Sequence, residues 1–130
     1  MAFSVFANDG VLKGFQLVEA NNHSNSSQVI SKHTAELIME SLEKVIIDGT
    51  GTQAKHHSHR VAGKTGTSHK VSNGKYDKSK YISSFIGIGP LETKKYTILV
   101  TIDEPGLNRY SGGEVAAPVF KEIFDDLVSL

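Results

Sequence analysis

No cysteine occurs anywhere in this chain, which removes disulfides and thiolate zinc sites from consideration. Nor does charge of one sign dominate, since 14 Lys and Arg stand against 14 Asp and Glu. A neutral chain exerts no global pull on nucleic acid or an acidic membrane surface, so neither is expected as a partner. Long apolar runs are missing too. None approaches the ~20 residues that cross a bilayer, and no membrane contact is expected from this segment. The opening Met1-Ala2-Phe3-Ser4 lacks the basic start and apolar stretch of a signal peptide. There is no internal repeat. A length of 130 residues suits one compact unit, and 38% hydrophobic residues suffice for its core.

What is present is organised by periodicity. Residues 3–7 are mostly apolar and run into Asn8-Asp9-Gly10, a strong turn signal. Phe15, Leu17 and Val18 suggest a short strand, and residues 21–27 read as a polar loop or hairpin tip. Over residues 32–48 the period becomes helical, with Ala35, Ile38, Leu42, Val45 and Ile46 on one face. Ser31 is the expected N-cap and Gly49 the expected C-cap. Three strands are expected next, at residues 60–67, 81–89 and 96–102. The second places Ile82, Ile86 and Ile88 on one face and Phe85 on the other. The polar residues 68–80 are expected to connect the first two of these strands. Residues 91–94 are short enough for a hairpin, which implies antiparallel pairing. A last amphipathic helix follows Ser111-Gly112-Gly113 and runs to about Val128, with Ala116, Val119, Phe120, Ile123, Phe124 and Leu127 as its stripe. Pro118 fits that helix if it lies in the first turn. The expected fold is α+β, a three-stranded antiparallel meander packed with amphipathic helices.

The sharpest local feature is Gly63-Lys64-Thr65-Gly66-Thr67 at a strand end. A phosphate-binding loop would need a glycine five positions before Gly63-Lys64-Thr65. Ser58 stands there, and no helix signal follows. The competing reading is the Lys-Thr-Gly element of serine acyl-transfer enzymes. Its residue types suit a ligand carboxylate lying along a strand edge. Lys64 supplies charge, Thr65 and Thr67 supply hydroxyl donors, and Gly66 lets the ligand approach the backbone. Strand alternation sets Lys64 and Gly66 on one face and Thr65 and Thr67 on the other, so all can serve one ligand only at the strand's edge.

Around this element the sequence resembles the C-terminal part of class B penicillin-binding proteins, nearest to the division-associated D,D-transpeptidases. The resemblance rests on Phe6-Ala7-Asn8-Asp9-Gly10, Gly49-Thr50-Gly51-Thr52-Gln53-Ala54, Ala62-Gly63-Lys64-Thr65-Gly66-Thr67, Ser84-Phe85-Ile86-Gly87-Ile88-Gly89-Pro90, Ile102-Asp103-Glu104-Pro105 and the run from Gly112 to Phe120. These blocks span the chain in the family's order. The resemblance implies that residues 1–130 are an incomplete part of one transpeptidase domain of the penicillin-binding and serine β-lactamase type. It implies peptidoglycan stem peptides and β-lactams as ligands, no cofactor, and a site of action outside the cytoplasmic membrane. It implies carboxylate recognition by Lys64 and the hydroxyls of Thr65 and Thr67, close approach of the substrate at Gly66, and the Thr67 N–H as oxyanion donor, with Lys64 and Thr67 as the catalytic residues.

The nucleophile motifs of that family are not matched here. Ser-x-Asn is absent, and Ser-x-x-Lys occurs only at Ser41-Leu42-Glu43-Lys44, mid-helix, and at Ser72-Asn73-Gly74-Lys75, in a polar turn. An acylated serine belongs at a helix N-terminus, where free N–H groups help to hold the oxyanion. A serine β-lactamase piece and a non-catalytic module with a vestigial Lys-Thr-Gly strand are the alternatives. His56, His57 and His59 could hold a metal, but three histidines on a loop beside Arg60 are expected to be solvated. Lys70, Lys75, Lys78 and Lys80, with Tyr76, form a basic connector that reads as a solvated hairpin tip. The strand over residues 95–102 has alternating apolar residues and no proline, so as a free edge it would favour self-association.

Overall fold

The switch from helical to alternating periodicity becomes architecture in the structure, a computed structural model that describes residues 1–14, 25–106 and 108–130. The chain divides into two units, Met1–Ser41 and Leu42–Leu130. In the first, a short helix α1 (Ser4–Ala7) ends at the Asn8-Asp9-Gly10 turn, where Asp9 (φ 54°) and Gly10 (φ 87°) are left-handed. The chain then enters β1 (Val11–Lys13), which pairs antiparallel with β2 (Ser26–Gln28). The strand expected around Phe15, Leu17 and Val18 lies outside the described residues, as do residues 21–24. The rest of the expected polar loop differs from expectation, because Ser26 and Ser27 belong to β2. Their backbones pair with Lys13 and Leu12 while their side chains stay exposed, so no apolar residue marks the strand.

Helix α2 (Lys32–Ile47) starts where the cap predicts. Ser31 Oγ accepts from the Thr34 N–H at 3.0 Å. Gly49 follows its end without adopting the left-handed conformation of the commonest cap. The closing hydrogen bond comes instead from the Gly51 N–H to the Val45 carbonyl, at 2.9 Å.

The second unit is built on an antiparallel meander in the order β3-β4-β5, with β3 at Ala62–Ser72, β4 at Lys75–Gly89 and β5 at Tyr96–Asp103. Helix α3 (Gly112–Val128) packs on one face. Phe85, Phe120 and Phe124 are fully buried there with Ala54, Ala116 and Ala117, and Ile46, Val61 and Val100 complete the cluster. Phe85 meets Phe120 edge-on at 4.9 Å between centroids, and Phe120 stacks on Phe124 at 5.7 Å. Along β5 the expected alternation holds: Ile98, Val100 and Ile102 turn inward and Thr97, Leu99 and Thr101 are exposed.

Two expectations are corrected. Residues 68–80, expected as a connector with a hairpin tip, instead continue both strands, so that the tip shrinks to two residues of a long hairpin. Asn73 (φ 51°) and Gly74 (φ 75°) form its two-residue turn, and left-handed geometry at both positions matches the twist of paired strands. Polarity hid these strand extensions, because most of their side chains are exposed. The second correction is Pro118. Helix α3 begins at Gly112, so the proline lies in the second turn rather than the first. Its missing N–H leaves the Glu114 carbonyl without a helical partner. Arg109 Nη2 reaches that carbonyl at 3.5 Å.

Candidate active site

Strand β3 lies at an edge of the sheet, and among the described residues only β4 pairs with it. The hydrogen-bond phase follows from two bonds at the sheet's ends. Glu104 N–H donates to the directly opposed Tyr81 carbonyl at 2.9 Å. Residues 81, 83, 85 and 87 of β4 therefore bond to β5, and 82, 84, 86 and 88 bond to β3. Independently, Arg60 just before β3 turns both backbone groups toward the β4 side. Its carbonyl accepts from Leu91 N–H and its N–H donates to Glu92 Oε1. With Lys64 opposite Ile86 and Gly66 opposite Ser84, the amides of Lys64 and Gly66 are spent within the sheet. Those of Gly63, Thr65 and Thr67 point out of its free edge. The geometric condition set by strand alternation is thus met.

The side chains converge on the same edge. Lys64 is exposed, and its Nζ donates to the outward Thr65 carbonyl at 2.8 Å, which holds a positive charge beside the free amides. Thr67 Oγ1 accepts from the Gly112 N–H, the first of α3, at 3.0 Å. One lone pair is used in this way, and the hydroxyl hydrogen remains to be donated. The positive end of the α3 dipole sits next to it. Thr65 Oγ1 lies 2.8 Å from Thr50 Oγ1, a hydrogen bond in which either hydroxyl can be the donor. A Cβ at Gly66 would meet nothing nearer than 3.8 Å, so intramolecular packing does not explain the glycine.

Sequence reasoning gave no role to Thr50, Gly112 and Gly113, which fasten the strand from behind. A Cβ on Gly112 would fall 2.6 Å from the Gly66 carbonyl oxygen and closer still to that of Ser84, and one on Gly113 would collide with the Thr50 carbonyl. A glycine pair directly after the capping Ser111 is the signal of such an approach. The loop before α3 is fixed by Ser83 Oγ donating to the Tyr110 carbonyl and by stacking of Tyr81 on Tyr110 at 4.1 Å.

The other candidates lie elsewhere. Ser41 Oγ donates to the Leu37 carbonyl in mid-helix, and Ser72 and Lys75 flank the hairpin turn. Neither serine sits at a helix N-terminus. Lys64 is followed by strand, which removes the phosphate-loop geometry. Arg60 forks onto Glu43 at 2.6 Å through Nε and through Nη2, tying the end of α2 to the start of β3 and holding the Glu43 carboxyl below the usual range. Lys70 is not simply solvated: its Nζ lies 3.0 Å from Asp103 Oδ2 and 2.8 Å from Glu104 Oε1, and those hydrogen bonds raise its pKa.

The expected solvated histidines are corrected for one of the three. His56 is buried, its side chain only 5% exposed. Its Nδ1 accepts from the N–H groups of Ser58 and His59, both at 3.0 Å, and its ring packs edge-on against Phe124. That lone pair is unavailable to a metal, and among the described residues no cluster of metal-ligating side chains forms. Burial pushes the His56 pKa below its ordinary 6.5, and the neighbouring His57 adds to this. The unfolded chain therefore binds the proton more readily, so stability falls as pH drops from about 6.5 toward the lower folded value. Thermal unfolding at pH 7.5 and pH 5.5 is expected to show a smaller loss for His56→Gln than for the parent. Equal losses would remove His56 as the titrating group.

Comparison with known proteins places this geometry. The family model described as the penicillin binding protein transpeptidase domain matches residues 1–125. The chain belongs to the penicillin-binding-protein transpeptidase family. The transpeptidase domain of Burkholderia pseudomallei penicillin-binding protein 3 superposes with a TM-score of 0.86 at 33% identity, over 98% of this chain and 40% of that one. The FtsI homolog of Chlorokybus atmophyticus, a peptidoglycan D,D-transpeptidase, is 39% identical over 121 residues, 88% of this chain and 18% of the relative. Penicillin-binding protein 3 of Mycobacterium tuberculosis, solved with aztreonam, matches with a TM-score of 0.81 at 27% identity, over 98% of this chain and 33% of that one. The chain thus spans well under half the length of these transpeptidases. The family match favours a transpeptidase segment over a β-lactamase one.

Proposed function

We propose that this chain forms one wall of the substrate cleft of a peptidoglycan D,D-transpeptidase acting by serine acyl transfer outside the cytoplasmic membrane. The observation that carries the reading is the free edge of β3, where the outward amides of Thr65 and Thr67 lie beside the Lys64 ammonium. A serine attacks the penultimate D-Ala carbonyl of a stem peptide, the terminal D-Ala leaves, and the amine of a second stem peptide resolves the acyl-enzyme. The Thr67 N–H meets the developing oxyanion. Lys64 and the free hydroxyl hydrogen of Thr67 bind the terminal carboxylate, Thr65 helps to position them, and Gly66 leaves room for the ligand. A β-lactam carboxylate occupies the same place. The attacking serine comes from outside these 130 residues, because neither Ser-x-x-Lys match stands at a helix N-terminus.

Intact-mass measurement after benzylpenicillin treatment tests the division of labour. A full transpeptidase domain carrying this segment is expected to gain one drug mass, and residues 1–130 alone to gain none. A stable adduct on a serine of the isolated chain would overturn the assignment.

The other edge of the sheet supports a proposal about self-association of the isolated chain. Among the described residues β5 pairs only with β4. The ladder phase turns the amides of Thr97, Leu99 and Thr101 outward, and Leu99 is 63% exposed. A second copy can satisfy these groups by strand pairing. Light scattering over a concentration series is expected to show dimers. Leu99→Pro should abolish them, since it removes an outward donor and spares the bonds to β4. Ile98, whose N–H faces β4, is the wrong site for that substitution. A parent chain that stays monomeric throughout the series defeats the proposal.

A further inference from the structure

Beyond the end of β5 the β3–β4 hairpin runs on, and among the described residues no third strand lies beside it. An unsupported two-stranded ribbon is marginal in water, yet this one is braced at its base. Lys70 is clamped between Asp103 and Glu104, Tyr81 stacks on Tyr110 at 4.1 Å between centroids, and the His69 ring lies tilted against Tyr81 at 4.7 Å. At the same place the register shifts between His69 and Lys70: His69 faces Tyr81 but Lys70 faces Asp77. The extra residues, Lys78 to Lys80, are thrown out of the ladder by a turn in which Asp77 Oδ1 accepts from both the N–H and the hydroxyl of Ser79. Bulges of this kind re-aim side chains. Past it, Val71 and Tyr76 oppose each other in register, 63% and 74% exposed, with Lys75 next to Tyr76 and Lys78 on the bulge, both exposed.

We propose that this arm, through Tyr76 with Lys75 and Lys78, is a second grip on the peptidoglycan substrate, beyond the reacting terminus. The inference rests on the edge-strand reading above, because the arm is the direct continuation of β3. Val71 lies four residues past Thr67, roughly 13 Å along the strand. A stem-peptide terminus held at Thr67 therefore brings the rest of its polymer within reach of the arm. That polymer offers sugar rings with apolar C–H faces and stem peptides with free carboxylates. An exposed tyrosine ring matches the first, and lysine ammonium groups match the second. A chain with no net charge gains such a patch only by local arrangement. The rigid base keeps the grip preorganised, which lessens the ordering that binding requires. A β-lactam is too small to span the gap.

The test uses a full transpeptidase domain carrying this segment and purified sacculi in a co-sedimentation assay. Lys75→Glu, Tyr76→Ala and Lys78→Glu together are expected to weaken sacculus binding about tenfold, as a few exposed contacts of several-fold each combine. Acylation by benzylpenicillin and the thermal unfolding temperature should stay at parental values. Amidating the sacculus carboxylates should weaken binding of the parent at least as much, since the terminal carboxylates held at Lys64 are lost as well. Sacculus binding by the triple variant equal to that of the parent would overturn the proposal and leave the edge-strand reading standing. Parental binding that is indifferent to amidation would overturn the proposal too, and would count equally against carboxylate recognition at the strand edge. Loss of acylation in the parent itself would strike the edge-strand reading instead, with the sacculus assay still readable.

Discussion

In a full transpeptidase domain carrying this segment, Lys64→Ala is expected to slow acylation by benzylpenicillin at least about a hundredfold. The geometry behind the figure is specific. The Lys64 ammonium sits on the outward Thr65 carbonyl, 2.8 Å away, within one residue of the amides proposed to face the ligand. In the free chain that charge is exposed and contributes little to folding. When a ligand carboxylate arrives and excludes water, the same charge acts at lower dielectric. Removing it then costs about 3–5 kcal/mol, because the carboxylate is left desolvated and unpaired. Two controls separate charge from shape. The unfolding temperature of Lys64→Ala should match that of the parent. Thr67→Ser, which keeps both the hydroxyl and the outward N–H, should acylate nearly normally. An acylation rate for Lys64→Ala close to the parental rate would make Lys64 a structural residue and remove the carboxylate from this edge.

The contrast between Lys64 and Thr65 shows which part of the site was legible in the sequence. Lys-Thr-Gly-Thr on a strand is a local pattern, and the requirement that it lie on an edge followed from alternation alone. The meander and the two long helices were legible for the same reason, since each carries a period of two or 3.6 against a buried face. What the pattern could not show was how each hydroxyl is employed. The partners, Thr50 and Gly112, are 15 and 45 residues away in sequence. Long-range partnership also explains the other misreadings. Most side chains of the outer hairpin are exposed, so it has no apolar alternation to announce it, although Asn73-Gly74 was a sufficient turn signal. Pro118 was placed in a first turn on helix rules, whereas its lost hydrogen bond is compensated by Arg109 from the preceding loop. His56 looked like one of three loop histidines, and only the fold reveals that its ring closes the loop over Phe124.

Gly112→Ala is expected to lower both stability and acylation, although position 112 carries no side chain. A Cβ there would lie 2.6 Å from the Gly66 carbonyl oxygen and nearer still to the Ser84 carbonyl oxygen. Both are backbone atoms of the paired strands β3 and β4, directly opposite each other, so neither can rotate aside as a side chain would. The strain must be relieved by moving the start of α3 away from the sheet. That movement breaks the bond from the Gly112 N–H to Thr67 Oγ1 and loosens the helix whose Phe120 and Phe124 fill the core. Overpacking of this kind costs about 2–3 kcal/mol, which corresponds to a fall in unfolding temperature of roughly 10 °C. Loss of the Ser111 cap alone, by Ser111→Ala, should cost only about 1 kcal/mol, because it removes a hydrogen bond without adding a collision. For acylation the order of effects should be the same. Gly112→Ala frees the Thr67 hydroxyl to turn away from the ligand and shifts the strand that carries the outward Thr67 amide. It should therefore slow acylation about tenfold or more even at temperatures where the domain is folded. Ser111→Ala leaves both groups in place and should acylate at the parental rate. A Gly112→Ala domain with unchanged stability and rate would mean that α3 does not set the position of the Lys-Thr-Gly-Thr strand.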